Sequence, residues 1–249
     1  MTSGKTSRQG REGRAAQARA AAARAESRRR NGIRLGVALV VVLVVVGFGV
    51  LIQTQRGNQK TGSSNAAPAN TSGPANGAIT VGQASAPVTV KAYEDFQCPI
   101  CKDFEASSAP TLQKLVDDGT IKLEYHPISF LDRMSSTKYS TRALNAAGCV
   151  INAKPSAFPA FHTLLFENQP AENSAGAPDS DLVAWAKQAG AGDISSCVKA
   201  GTYDSWTVRV TDQASKDGVN GTPTVFVNGK QLENPTPDTL TAAIQAAKK

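Results

Sequence analysis

Two cysteines separated by two residues form the sequence feature with the clearest chemical potential. They lie in DFQCPICKDFE, residues 95–105, as Cys98 and Cys101, with Pro99 and Ile100 between them. Two thiols at this spacing can form a redox-active disulfide, supply half of a metal site, or remain buried without reacting. The rest of the sequence has to separate these three interpretations.

Two further cysteines, Cys149 and Cys197, stand alone along the chain. A zinc site built on CxxC normally adds a second CxxC or a closely spaced histidine pair, whereas the two histidines of this chain are 36 residues apart. We therefore expect no metal and no cofactor. Four cysteines allow three disulfide connectivities, and spacing favours Cys98 with Cys101 and Cys149 with Cys197.

The Cys149–Cys197 pair is the better candidate for a structural disulfide. It closes a long loop, which corresponds to about 4 kcal/mol in the chain-entropy treatment. A bridge between Cys98 and Cys101 closes a very small ring and constrains little of the unfolded chain. A purely structural role for both bridges remains the alternative.

The residues around Cys98 predict a strand followed by a helix. Apolar side chains alternate over residues 88–92, as in a half-buried strand, and helical spacing follows as far as a stop at Gly119. Pro99 falls at the first helical position, where its fixed φ and missing N–H are tolerated. Cys98 is thereby placed at a helix N-terminus, where unpaired N–H groups and the positive end of the dipole favour a thiolate.

This position predicts Cys98 as the nucleophile and Cys101, one turn further and more buried, as the resolving thiol. The helix dipole contributes only about 0.3 to 2 kcal/mol, and the side chain of Ile100 can neither donate a hydrogen bond nor carry a charge. We therefore expect a lowered but moderate pKa for Cys98, about 5 to 7, with Lys102 helping.

Two acidic residues, Glu94 and Asp95, precede the cysteine pair. Near the thiols they would raise the pKa of a thiolate or relay protons. As solvated loop residues they would do neither, and the sequence leaves both interpretations open.

The composition is uneven along the chain. Residues 1–34 hold ten Lys or Arg and two Glu, a net of +8, so the remainder carries −1 of the formal +7. Residues 35–52 form an uncharged apolar run about 27 Å long as a helix, close to the thickness of a bilayer core. We expect an uncleaved single-pass anchor with a cytoplasmic N-terminus, by the positive-inside rule, and no nucleic-acid partner.

Residues 53–77 are rich in Gly, Ser, Asn, Ala and Pro, which is typical of a flexible linker. The expected organisation is thus a basic tail (1–34), an anchor (35–52), a linker (53–77) and one extracytoplasmic domain (78–249). All four cysteines lie beyond the anchor, where the compartment permits disulfides.

Two motifs, YEDFQCPICKDFE and VNGTPTVFVNGK (residues 219–230), together resemble the DsbA-like branch of the thioredoxin superfamily, in its membrane-anchored Gram-positive form. The resemblance covers about residues 78–249 and implies an α/β thioredoxin-like fold with an inserted helical subdomain, about 133–218. It also implies a cis Thr222–Pro223 bond in a loop that packs against Cys98 and presents backbone groups to an extended substrate.

The expected function is a membrane-tethered thiol:disulfide oxidoreductase that introduces disulfides into exported polypeptides with free thiols. The resemblance implies recycling by a membrane partner such as a DsbB or VKOR-like protein. Many DsbA enzymes carry His at the position of Ile100, so a reductase or isomerase direction stays open. A non-catalytic envelope chaperone or scaffold is the third reading. His126 and His162 are interpreted as structural.

Overall fold

The computed structural model describes residues 66–248, which are built around a five-stranded mixed β-sheet. The strands are arranged in the order β1-β3-β2-β4-β5. Strands β2 and β3 are parallel, and every other neighbouring pair is antiparallel. The bounds are Ile79–Val81 (β1), Val88–Glu94 (β2), Ile121–Pro127 (β3), Thr224–Val227 (β4) and Lys230–Leu232 (β5).

Helix α1 (Pro99–Asp117) connects the parallel strands β2 and β3, because such a connection must cross from one end of the sheet to the other. Val88, Val90 and Ala92 on β2 are fully buried. The helix continues through Pro110 and ends before Gly119, whose φ is +72°. The predicted succession of strand, cysteine and helix is confirmed.

Five α-helices, two short 3₁₀ helices and no strand lie between β3 and β4 in the described chain, as predicted for residues 133–218. The first of these α-helices, Tyr139–Ala153, is the centre of the helical part, because it packs against the other four and most of its residues are buried. The helices are α2 (Tyr139–Ala153), α3 (Phe158–Glu167), α4 (Asp179–Gln188), α5 (Ser195–Ala200) and α6 (Asp204–Lys216).

The C-terminal part is a hairpin followed by a helix. Asn228 and Gly229 both have positive φ, 46° and 82°, as the predicted type I′ turn between β4 and β5 requires. Helix α7 (Pro237–Ala247) begins with a capping box in which Thr236 and Thr239 bond each other's backbone N–H groups.

The boundary predicted at residue 78 is corrected by the residues just before it. Pro68 is buried, the Ala69 N–H donates to Asn152 Oδ1 at 3.3 Å, and Trp206 Nε1 donates to the Asn76 carbonyl at 2.9 Å. Because these contacts join residues 66–77 to the helices α2 and α6, that stretch is part of the packed domain and not of a linker. Polar composition alone did not distinguish a docked segment from a flexible one.

The predicted tail, the anchor at 35–52 and residues 53–65 of the linker lie outside the described residues. Within residues 66–248, no helix has the length and apolar content needed to cross a membrane.

Candidate active site

The cysteine pair lies where β2 passes into α1. Cys98 is the N-cap of the helix, with extended backbone angles, and Pro99 is the first helical residue. Both cysteines are free thiols. Cys98 keeps 6% of its surface exposed and Cys101 none, so a thiol arriving from solvent meets Cys98 first.

The loop before β4 faces Cys98. Strand β4 runs antiparallel beside β2, with Thr224 opposite Tyr93, so the start of one strand adjoins the end of the other. The Thr222–Pro223 peptide bond is cis, and Cys98 Sγ lies 3.3 Å from the Thr222 carbonyl oxygen. The predicted cis bond and its contact with Cys98 are confirmed.

The two thiols differ strongly in acidity. A hydrogen bond from Cys101 lowers the pKa of Cys98 to about 6, against the opposing effect of burial, and the Cys101 and Ile100 backbone N–H groups add to the lowering. Burial, followed by the bond to Cys98, raises the pKa of Cys101 well above its ordinary value. At neutral pH the reduced pair therefore carries one negative charge, on Cys98.

Glu94 is buried and belongs to a cluster with Glu105 and His162. Glu94 Oε2 lies 3.1 Å from His162 Nε2, and Glu105 Oε2 lies 3.7 Å from His162 Nδ1. Burial raises the pKa of each carboxyl to about 8 and lowers the pKa of the histidine. At neutral pH the two carboxyls are therefore protonated and the imidazole is neutral. Because Glu94 is buried, its interpretation as a solvated acid is wrong.

This Glu94–Glu105–His162 cluster is, within the described residues, a donor set that could hold a metal ion, since its ligand atoms lie within 4.8 Å of one another. All three residues are buried. Because burial favours the uncharged forms, we interpret the cluster as a proton store. The sequence did not reveal it, because β2, α1 and α3 bring its members together from distant positions.

Asp95 has a different role from Glu94. Its Oδ1 accepts from the Gln97 N–H at 2.9 Å and from the Ser140 hydroxyl at 2.6 Å, and its Oδ2 accepts from the Leu131 N–H at 2.8 Å. The side chain is fully buried, and burial raises its pKa to about 7. The hydrogen bonds of Asp95 thus hold the loop before Cys98 against the helical part.

The helical part also contacts the cysteine motif directly. Gln169 Nε2 donates to the Cys98 carbonyl at 2.9 Å, and Gln97 Nε2 donates to the Ala171 carbonyl at 3.2 Å. Lys102 Nζ donates to the Glu167 carbonyl at 3.3 Å. The Lys102 charge, expected to assist Cys98, is therefore engaged by the carboxyl end of α3, which favours a cation.

Ile100 is the one large hydrophobic side chain of the described residues that is exposed, at 59%. It lines an open groove of about 410 Å³ together with Thr222 and Pro223.

The other two cysteines, Cys149 and Cys197, form the disulfide that spacing favoured.

Comparison with known proteins agrees with this geometry. The family described as thioredoxin matches residues 75–246. The disulfide bond formation protein D of Bacillus subtilis is 32% identical over 162 residues, which are 64% of this chain and 71% of that protein. The chain belongs to the thioredoxin family, in its DsbA-like branch. Residues 75–246 are therefore a DsbA-like thioredoxin domain.

Solved structures are similar to this DsbA-like domain over most of their own length. Oxidised DsbA of Mycobacterium tuberculosis is 36% identical, with a TM-score of 0.61 over 69% of this chain and 92% of that chain. Oxidised BdbD of Bacillus subtilis is 26% identical, with a TM-score of 0.63 over 74% of this chain and 96% of that chain.

The DsbA-like domain also matches a part of larger proteins. The serine/threonine-protein kinase PknE of Mycobacterium tuberculosis is 32% identical over 169 residues, but the match spans 30% of that kinase. The likeness to the kinase is therefore confined to less than a third of its length.

Proposed function

We propose that this protein is tethered to the cell membrane and introduces disulfides into exported polypeptides through Cys98 and Cys101. The observation that carries the proposal is the position of Cys98. Its sulfur lies at the N-terminus of α1, 3.3 Å from the carbonyl oxygen that precedes the cis-proline Pro223, and its pKa is lowered to about 6. A weakly basic sulfur that keeps a small exposed area beside an irregular backbone segment suits disulfide exchange with a bound chain.

The reaction begins with the oxidised pair, in which Cys98 and Cys101 are joined. A substrate thiolate attacks Cys98 Sγ, the Cys98–Cys101 bond breaks, and Cys101 leaves with the electron pair. A second substrate thiolate then attacks the substrate sulfur of the mixed disulfide and releases Cys98 as a thiolate. The substrate gains one disulfide, and the enzyme pair is reduced by two electrons.

Cys101 needs a proton when it leaves, because its pKa lies well above neutral. The Glu94–Glu105–His162 cluster is suited to supply it. Ionised Glu94 would raise the pKa of Cys101, so the two groups are electrostatically coupled, and the Glu94 carboxyl, with a pKa raised to about 8 by burial, is protonated at pH 7. We assign Glu94 the transfer of this proton, with Glu105 and His162 as its store.

The direction of the reaction is assigned from the family. The chain is 32% identical to a disulfide bond formation protein D, so we assign an oxidising role. A stable thiolate favours the reduced enzyme and makes its disulfide more oxidising. The lowered pKa of Cys98 is compatible with this role, and we expect a reduction potential between about −270 and −120 mV.

The catalytic cycle requires two kinds of partner protein, a substrate and a protein that reoxidises the enzyme. The enzyme takes electrons from exported proteins with free thiols, and another protein must remove them. We propose a membrane redox partner of the DsbB or VKOR-like kind for that step.

The test combines a measurement of the reduction potential with an assay of substrate oxidation. The Cys98/Cys101 couple is equilibrated against glutathione buffers, and the full chain is assayed for oxidation of a reduced, unfolded model substrate. A potential above that of thioredoxin, with activity lost in Cys98→Ala, supports the proposal. A potential near −270 mV indicates a reductase, and full function in Cys98→Ala indicates a non-catalytic binding protein.

A further inference from the structure

The groove beside Cys98 has three walls. They are the exposed face of α1 around Ile100, the cis-proline loop at Thr222 and Pro223, and the segment that joins β5 to α7 around Pro235. Because the Thr222 carbonyl contacts the Cys98 sulfur, a chain that delivers a thiol to Cys98 continues into this groove. The inference below rests on the proposed function.

Two carboxylates border the groove, from two different walls. Asp103 lies on α1, three residues after Ile100 and thus on the same helix face, and Glu233 lies just after β5. Both side chains are exposed, and neither forms an ion pair with any residue of 66–248. The described lining of the groove contains no Lys, Arg or His.

The cations nearest to these acids in sequence, Lys102 and Lys230, form no ion pair with them in the described residues. The ammonium of Lys102 donates to the Glu167 carbonyl at the end of α3. The groove therefore combines an apolar contact, the side chain of Ile100, with uncompensated negative charge. A lysine or arginine matches both features, because its methylene stem packs on apolar surface while its charged end reaches a carboxylate.

We propose that Asp103 and Glu233 make the enzyme prefer substrate cysteines that have a Lys or Arg two residues away. In an extended chain, side chains two residues apart point to the same side and are separated by about 7 Å. Asp103 lies five residues after Cys98, a rise of about 7.5 Å along the helix axis at 1.5 Å per residue. A side chain two positions from the reacting cysteine is thus at the right distance.

The experiment uses single-cysteine peptides and the oxidised full chain. Lys, Ala or Glu is placed two residues before or two residues after the cysteine, and the rate of mixed-disulfide formation is followed by acid quench and mass spectrometry. Because a neighbouring charge alters the thiolate fraction of the peptide, each rate is divided by the rate of the same peptide with hydroxyethyl disulfide, which is neutral.

At one of the two positions we expect the Lys peptide to react about fivefold faster than the Ala peptide. This ratio corresponds to two exposed ion pairs of ordinary strength. The Glu peptide should react more slowly than the Ala peptide. The preference should shrink to less than about twofold in D103N/E233Q and in 1 M salt, where the Debye length is about 3 Å. The matched control is Asp117→Asn, because Asp117 is exposed on the same helix about 21 Å from Asp103 along its axis.

Equal corrected rates for all peptides, or a preference unchanged in D103N/E233Q, would overturn this inference and leave the proposed function standing. If none of the peptides reacts with the oxidised pair, the proposed function itself fails.

Discussion

Cys98 and Cys101 differ in acidity although they are the same residue type one helical turn apart. Cys98 is the N-cap, within reach of N–H groups, whereas Cys101 is fully buried. The largest effect on the pKa of Cys98 is the hydrogen bond from Cys101, and that same bond opposes ionisation of Cys101. At the residue scale, the two thiols are thus one unit in which the second stabilises the charge of the first.

The first prediction concerns the hydrogen bond between the two thiols. In the reduced protein, the 240 nm thiolate absorbance should titrate with a midpoint near the pKa of about 6. Cys101→Ala removes the donor and should raise the pKa of Cys98 by about one to two units, because a hydrogen bond to a charged group is worth about 1.5 to 3 kcal/mol. Cys101→Ser keeps a donor and should change the midpoint much less, and equal midpoints in the two variants would contradict the assignment.

The second prediction concerns the buried carboxyls. Burial raises the pKa of Glu94 and Glu105 to about 8, from 4.5. Between these pH values the unfolded chain loses protons that the folded chain keeps, so the free energy of unfolding decreases as the pH rises. Glu105→Gln removes one such group and should reduce this slope between pH 5 and 8.

This slope is measured by urea unfolding of the oxidised protein at several pH values. The oxidised form is required because the Cys98 thiolate, with its lowered pKa, adds a slope of opposite sign. Glu172→Gln is the control, since Glu172 is exposed. A slope equal to that of the wild-type protein in Glu105→Gln would show that the carboxyl ionises freely in the folded state.

At the element scale, the Cys149–Cys197 disulfide joins α2 to the short helix α5, across 48 residues. Helix α2 packs against α3, and α3 supplies His162 to the proton store. We propose that the disulfide stabilises the helical part that supports the active site and takes no part in the exchange itself.

The third prediction follows from that separation. Cys149→Ser with Cys197→Ser should lower the free energy of unfolding by up to about 4 kcal/mol, because the unfolded chain gains the conformations that the cross-link excludes. Below the unfolding transition, the rate of substrate oxidation should stay within about twofold of the wild-type rate. Loss of oxidation in a variant with an intact fold, judged by circular dichroism, would assign the disulfide a catalytic role.

At the scale of the whole molecule, the sequence predicted the features that depend on local pattern. Alternation identified β2, Pro99 identified the start of α1, and Asn228 with Gly229 identified the last hairpin. Two tertiary contacts were also predicted, the loop of Pro223 against Cys98 through the family resemblance and the Cys149–Cys197 disulfide through cysteine spacing, but contacts without such a motif were not. The contact of Glu94 with His162 joins residues 68 apart, and no local sequence pattern indicates it. The same holds for the packing of residues 66–77 against the helices.

The last prediction concerns the relation of the domain to the membrane. Residues 35–52 are uncharged and follow ten cations, which predicts that they cross the bilayer with the N-terminus inside. Val41→Arg with Val45→Arg adds two charges near the centre of this run, at about 2.5 to 3.5 kcal/mol each. The variant should leave the carbonate-resistant membrane fraction, whereas the control Ser63→Arg with Ser64→Arg, beyond the run, should stay in it.

The orientation is tested on the same wild-type chain. A membrane-impermeant thiol reagent should label Cys98 in intact cells after mild reduction, because the proposed topology puts the active site outside, and Cys98→Ala should lose that label. Labelling that requires broken cells would place the active site in the cytoplasm, where disulfides are kept reduced. Oxidation of exported proteins would then be incompatible with the position of the enzyme. The side of the membrane on which Cys98 lies is thus as decisive for the proposed function as the acidity of its sulfur.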